Sequence, residues 1–280
     1  MKCILNERIL KDFREHLVLS EKTPATIDKY CRDVRTFAEY TAGLEITKEI
    51  MIAYKEKLRE DGYAVRSINS MLASINSLLS YLGWINLRVK TLKVQQQVFC
   101  PEEKELTRAE YERLVKTSIA LHNERLSLIL QTICSTGIRV SELKYITVEA
   151  VKRGEAEVSC KNKIRNVFIV RDLQRKLLKY IARHGIESGN VFITRTGKLL
   201  SRTNIWRDMK SLCSEAGVCP NKVFPHNLRH LFARVFYGMD KDIAKLADIL
   251  GHSNINTTRI YIISTGQEHR RRMESMKLVI

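Results

Sequence analysis

The chain has 280 residues, enough for two ordinary domains, and its 48 Lys plus Arg against 31 Asp plus Glu leave a formal net charge of +17. A balance of that size predicts a polyanionic partner. With 44% hydrophobic and 28% charged residues but only 12 Gly and 4 Pro, fibrous, collagen-like and low-complexity classes are excluded, and a helix-rich globular protein is expected.

At the start, Asn6, Glu7 and Arg8 stand where a secretory leader would need an apolar core. No stretch approaches the roughly 20 apolar residues of a membrane span, and the greasiest, Leu126 to Cys134, is soon broken. A cytoplasmic chain without membrane contact is expected. The seven cysteines (Cys3, Cys31, Cys100, Cys134, Cys160, Cys213 and Cys219) are scattered and form no CxxC pair, which predicts reduced, mostly buried thiols and neither a disulfide framework nor a zinc site.

The first part reads as four helices. From Thr23 to Gly43, Thr23 suits an N-cap, Pro24 the first helical position and Gly43 the stop, with Ile27, Tyr30, Val34 and Phe37 at helical spacing between them. From Ala64 to Gly83, Ile68, Leu72, Ile75, Leu79 and Leu82 form one apolar stripe. The opposite face, Arg66, Ser67, Asn69, Ser70, Ser74 and Ser77, suits either a phosphate backbone or plain solvent. Periodicity lapses between Ile85 and Glu105, across Gln95-Gln96-Gln97 and Cys100-Pro101, as in an exposed linker. The expected domains are therefore 1–90, a linker over 91–105, and 106–280 with a tail over 262–280.

The second domain opens on a capping box, Thr107 with Glu110. It holds most of the excess charge, 32 basic and 19 acidic residues against 16 and 12 in residues 1–100. Its one β-prone region, Glu155–Cys160 and Asn166–Val170, flanks a basic turn from Lys161 to Arg165 and predicts a hairpin with cations at its tip. Helical patterns follow over Asp172–His184, Arg202–Ala216, His226–Tyr237, Asp242–Leu250 and Thr257–Ile263.

Pro225 opens a helix on which His226 and Arg229, three apart, share a face. By itself that spacing also suits a structural histidine. His226 and His230, four apart, mimic half of a zinc-protease helix, but Asn227 stands where its glutamate would be. The ordered set is more specific: Thr136-Gly137-Ile138-Arg139-Val140-Ser141-Glu142-Leu143, with Arg139 just past a glycine turn and opening a helix; the basic hairpin; His226-Asn227-Leu228-Arg229-His230; Leu250-Gly251-His252 followed by Thr257-Thr258; and Tyr261, nine residues beyond His252.

This set resembles the tyrosine recombinases, the phage-integrase and Xer-type site-specific DNA recombinases, closely over about residues 106–265 and more loosely over the N-terminal helices. The resemblance implies a mainly α fold: an N-terminal four-helix core-binding domain that clamps DNA, and an α-rich catalytic domain with a small β-hairpin. It implies Arg139, His226, Arg229 and His252 as the residues around the scissile phosphate and Tyr261 as the nucleophile. It also places a catalytic lysine on the hairpin. Lys161 matches that lysine if Cys160-Lys161-Asn162-Lys163-Ile164-Arg165 is the usual G-K-G-N-K-x-R with one residue deleted; Lys163 is the other contender. Glu142, three residues after Arg139, braces it or is an ordinary surface ion pair. The implied partners are double-stranded DNA and further copies of the chain, a tetramer on paired sites, with the tail docking on a neighbouring protomer or packing on its own domain.

Elementary chemistry suits these roles. Two guanidiniums can fork onto the oxygens of a pentacoordinate phosphorus. A tyrosine hydroxyl, ordinarily of pKa about 10, needs cations or a base beside it to attack. The departing 5′ oxygen needs a proton, which a hairpin lysine can supply, while His252 would donate to the phosphate oxygens. A phosphotyrosine ester conserves bond energy, so neither ATP, metal nor another cofactor is expected, and no P-loop or magnesium-binding acidic cluster is found in the sequence. A type IB topoisomerase-like relaxing enzyme would share this chemistry, and a non-catalytic architectural DNA-binding protein would share the basic surface without needing Tyr261.

Overall fold

The structure is a computed structural model that describes residues 3–93, 104–160, 163–262 and 273–276. The chain forms two compact units, Met1–Gln96 and Gln97–Ile280. Among the described residues no helix is long and apolar enough to cross a membrane.

The first unit is four helices, α1 (Glu7–Leu19), α2 (Pro24–Thr41), α3 (Lys48–Glu60) and α4 (Val65–Tyr81). Asn6, Thr23 and Thr47 cap the first three, each side-chain oxygen accepting a backbone N–H three residues on. Phe13, Phe37, Met51, Ile68, Leu72 and Leu78, all fully buried, make its core. Helix α2 stops one residue before the expected glycine, because Ala42 takes the left-handed cap at φ 47°.

The polar face of α4 divides between two uses. Arg66, Ser67 and Ser70 are exposed. Asn69 and Asn76 instead turn to the segment that follows: Asn76 Nδ2 donates to the Val89 carbonyl at 2.9 Å and its Oδ1 accepts the Val89 N–H at 3.1 Å. Asn69 repeats the pattern on Leu92, at 2.8 Å in both directions. Ser74, fully buried, donates to the Asp33 carboxylate at 2.7 Å, where Lys29 also bonds. The expected linker thus loses its first residues, 91–93, to the first unit, while 94–103 lie outside the described residues. Residues 85–87 form a 3₁₀ turn, and Val89 is buried in the core with Leu92 packed against it. The lapse of hydrophobic periodicity there marks an extended strap held by asparagine side chains.

The second unit begins with α5 (Arg108–Ala120), on the expected capping box, and α6 (Glu124–Thr136), capped by Asn123. Helix α6 packs on α5 and, further on, against α8 (Arg171–Arg183), α9 (Arg202–Ser211) and α10 (Pro225–Asp240). It is easily missed in the sequence because its burial does not follow its polar pattern: Ser127, Thr132 and Thr136 are buried along with Leu126, Leu128, Ile129, Leu130 and Ile133. Between α6 and α8 lie a 3₁₀ turn, Val140–Tyr145, in place of the α-helix expected after Arg139, then α7 (Val148–Arg153) and the antiparallel pair β1 (Glu155–Cys160) and β2 (Lys163–Phe168). The unit ends with α11 (Ile243–Leu250) and α12 (Ile255–Ile262).

The hairpin is tighter than its sequence suggests. Cys160 pairs with Lys163, so the connection is only two residues, and Arg165 lies within β2 opposite Val158. An arginine expected at the tip is thus a strand residue. The five cysteines described are unpaired, but only Cys213 is buried while Cys219 is exposed, so the thiols are less buried than expected. The expected tail, apart from residues 262 and 273–276, lies outside the described residues.

Replacing Asn76 by Ala strips the strap of its bonds at Val89 and leaves a partly buried N–H and C=O unpaired. A loss of about 1–3 kcal/mol is expected, read as a lowered thermal midpoint; an unchanged midpoint would show that the asparagine does not hold the strap.

Candidate active site

Helix α10 opens on Pro225, whose missing N–H costs nothing at a helix start, and its first turns present His226, Arg229 and His230. Arg229 is 1% exposed. Its Nη1 donates to the Gly137 carbonyl, at the C-terminal end of α6. Its Nη2 donates to the carbonyl of Leu250, the last residue of α11, at 2.7 Å and contacts His252 Nε2 at 3.0 Å. Two helix C-termini, each the negative end of its dipole, thus hold one buried cation. Burial first, then the charge of Arg139, lowers the guanidinium to about 10, so it stays protonated at neutral pH.

That contact decides the state of His252. An arginine can only donate, so His252 Nε2 accepts, and the ring proton sits on Nδ1, which donates to the fully buried Thr258 hydroxyl at 2.9 Å. Burial, then Arg229, Arg139 and Arg165, hold His252 down at about 4, consistent with a neutral ring. His252, expected as a phosphate donor, is here an acceptor.

Tyr261, on α12, is 5% exposed and ringed by these groups. Its hydroxyl lies 3.4 Å from His226 Nε2. Its ring stacks on His230 with centroids 4.2 Å apart, stands 5.3 Å from His252, and has the Arg229 guanidinium 5.9 Å from its centroid. Partial desolvation, then the charges of Arg229, Arg139 and Arg202, lower the His226 pKa and favour the neutral ring, which can accept a proton. His230, pushed to about 4 by burial and then by His226, is neutral as well.

Arg139 stands at the start of the 3₁₀ turn and is held by Glu142. Its backbone N–H donates to Oε2 at 2.9 Å and its Nη1 to Oε1 at 2.8 Å, while Arg165 Nη2 donates to Oε2 at 2.6 Å. Glu142 is only 2% exposed, so this is a buried brace and not a surface pair. Burial alone would raise its carboxyl, but the bonds from Arg139 and the charges of both arginines outweigh that and hold it below the usual range. Two glycines permit the close packing. A Cβ on Gly137, at φ 64°, would lie 2.5 Å from the Phe232 ring, and one on Gly251, at φ 66°, would lie 2.5 Å from the Arg165 side chain.

The structure therefore gathers His226, Arg229, His252 and Tyr261, with Arg139 near enough for its charge to depress both histidines. Lys161 lies outside the described residues, and of Lys163 only the backbone is described, at the head of β2. Sequence reasoning missed three supporting residues. His230 was weighed only as half of a metal motif, Thr258 as part of a Thr-Thr pattern, and Arg165 as a loop cation. Among the described residues no three His, Cys, Asp or Glu side chains gather as a metal-binding group.

The depressed histidines make folding pH-dependent. His230 and His252 bind protons at about 4 when folded and near 6.5 when unfolded, so below about pH 6.5 the unfolded chain takes up protons that the folded one does not. Stability should be fully present at neutral pH and fall as pH drops through that window. Urea midpoints at about pH 7.5, 6 and 5 check this, and a flat or rising midpoint on acidification would contradict it.

Comparison with known proteins follows the two units. Residues 10–85 match the phage integrase N-terminal SAM-like domain and residues 104–268 the phage integrase family. Tyrosine recombinase XerA of Thermococcus kodakarensis is 30% identical over 280 residues, covering 97% of this chain and 96% of that protein. Tyrosine recombinase XerC of Herpetosiphon aurantiacus is 28% identical, covering 90% and 89%. Among solved structures, XerH site-specific recombinase bound to its difH substrate superposes with a TM-score of 0.69 at 18% identity, over 95% of this chain and 84% of that one. The Tn1549 transposon integrase in complex with circular intermediate DNA gives 0.74 at 15% identity, over 96% and 99%. These likenesses carry the fold, mainly helical with a two-stranded sheet, and the relatives are named as recombinases and an integrase, not as topoisomerases or architectural proteins. Matched in both of its units, in order, and aligned with a relative over nearly its whole length, the chain belongs to the phage integrase family of tyrosine recombinases.

Proposed function

We propose that this chain cleaves and rejoins double-stranded DNA at specific sites through a covalent 3′-phosphotyrosine on Tyr261. The observation that carries the reading is that two separate segments, the His226–His230 turn and the His252 turn, enclose the ring of Tyr261 on α12, with His226 facing its hydroxyl. In the cleavage step, Tyr261 Oη bonds to phosphorus as the P–O5′ bond breaks. The phenol proton passes to His226, whose neutral Nε2 already faces it; a contact of 3.4 Å shortens readily once substrate orders the site. Arg139 and Arg229 stabilise the charge gathering on the non-bridging oxygens.

Arg229 keeps donors for substrate. Its Nη2 is spent on Leu250 and His252 and its Nη1 bonds to Gly137, while its Nε is buried with no partner among the described residues. A phosphate oxygen arriving beside it would supply that acceptor. His252 then either keeps accepting from Arg229 or turns to donate to phosphate, as expected of it. A hairpin lysine, Lys161 or otherwise Lys163, protonates the departing 5′ oxygen, and the reverse of these steps reseals the strand. The N-terminal unit clamps the DNA, and exchange between two sites takes four copies of the chain, one for each strand cut.

Tyr261→Phe should abolish the covalent adduct on a suicide substrate while site binding stays within about twofold, since only the attacking oxygen is lost. Normal adduct yield would remove Tyr261 from the mechanism. For the proton donor, Lys161→Ala should block cleavage of ordinary DNA and recover on a 5′-bridging phosphorothiolate, because thiolate leaves without a proton. Recovery of Lys163→Ala instead would assign the acid to Lys163, and recovery of neither would exclude both.

A further inference from the structure

Among the described side chains, the hairpin carries one charged residue where its inward face is otherwise apolar. Ala156, Val158 and Val167 are buried at 3% exposure or less, and Arg165, opposite Val158, continues that face with its side chain 13% exposed. Such burial of a guanidinium is unfavourable unless the charge is paired. Its partner is Glu142, at 2.6 Å, the same carboxylate that holds Arg139. The arginine stem lies against the backbone of Gly251, where the space that a Cβ would need is filled by Arg165 Cδ and Nε. One side chain therefore joins the hairpin to the turn that carries His252 and to the carboxylate that orients Arg139.

From this we infer that Arg165 is a positioning residue for the strand-cleavage reaction: by bridging β2 to Glu142 and Gly251 it fixes that strand against the phosphate clamp, and with it the support from which a hairpin lysine would deliver its proton. Arg139 keeps two bonds of its own to Glu142 when Arg165 is removed, one from its backbone and one from its guanidinium. The clamp thus survives that loss. The loss falls on β2: among the described residues Arg165 makes the only side-chain ion pair from β2 to the rest of the unit, whereas β1 keeps the bond from the Tyr145 hydroxyl to the Ser159 carbonyl at 2.8 Å. Removing Arg165 therefore acts on delivery of the proton more than on grip of the phosphate. The inference rests on the reading that a hairpin lysine is the general acid.

The test compares Arg165→Gln on two suicide substrates, one with the ordinary 5′ oxygen and one with a 5′-bridging sulfur. Cleavage of the oxygen substrate should fall by about a hundredfold and that of the sulfur substrate by less than about threefold, as for loss of a group that orients an acid. Equal loss on both would overturn the inference and make Arg165 a direct phosphate contact through Nη1, which is buried without a partner among the described residues. Hydrogen exchange gives a second readout, independent of cleavage: amides of β1 and β2 should exchange faster in Arg165→Gln while those of α6 and α10 do not, and an unchanged hairpin would also refute the brace. Should the Gln variant fail to fold, Arg165→Lys, which keeps the charge but loses the fork, takes its place in both measurements. Failure of the lysine variants to recover on sulfur would sink the general-acid reading separately, with hairpin exchange still deciding whether Arg165 braces the strand.

Discussion

A single buried guanidinium organises the catalytic unit. Arg229 has almost no access to water, so its charge is tolerable only where main-chain carbonyls receive its N–H groups. Those carbonyls come from Gly137 and Leu250, at the C-terminal ends of α6 and α11. Both helix ends must therefore converge on α10. Their convergence in turn demands glycine at 137, where the Phe232 ring leaves no room for a side chain. Helix packing and the placement of a catalytic cation are the same constraint.

From that charge the protonation states follow. Burial and neighbouring arginines depress His226, His230 and His252 together, so the pocket combines fixed positive charge with neutral imidazoles. Such a pocket attracts an anion and keeps its imidazoles unprotonated at neutral pH, so they are free to accept a proton and hold none to give. Glu142 is the counterweight: one buried carboxylate offsets two arginines and ties the hairpin to the clamp.

The two units differ in how polar groups are used. In the first, asparagines and a buried serine on α4 fasten a strap and a neighbouring helix, so a face that looks ready for phosphate or water is partly internal. In the second, the buried charges Glu142 and Arg229 lie at the site, while the buried Ser118, Ser127 and Thr132 sit on α5 and α6 beside a mostly aliphatic core. The polarity of a helix face in sequence says that hydrogen bonds will be made, and only packing says with what.

Much was legible from the chain alone. The caps at Thr23 and Thr107, the helices with a clear apolar stripe, the hairpin, and the set Arg139, His226, Arg229, His252 and Tyr261 all rest on local patterns or short motifs, because capping, periodicity and motif spacing act over a few residues. What the tertiary structure alone decided was long-range. Helix α6 buries Ser127, Thr132 and Thr136 with its apolar residues, so its burial does not follow its polar pattern. The strap at Val89 and Leu92 depends on side chains more than ten residues away. Arg165 looks like a loop cation until strand register turns it inward, and Glu142 like a surface partner until burial makes it a brace. Whether His252 donates or accepts depends on a bond from Arg229, 23 residues earlier in the chain. A residue's type and spacing state which bonds it is able to make; its neighbours in space select among them, since burial and pairing set the energy of each choice.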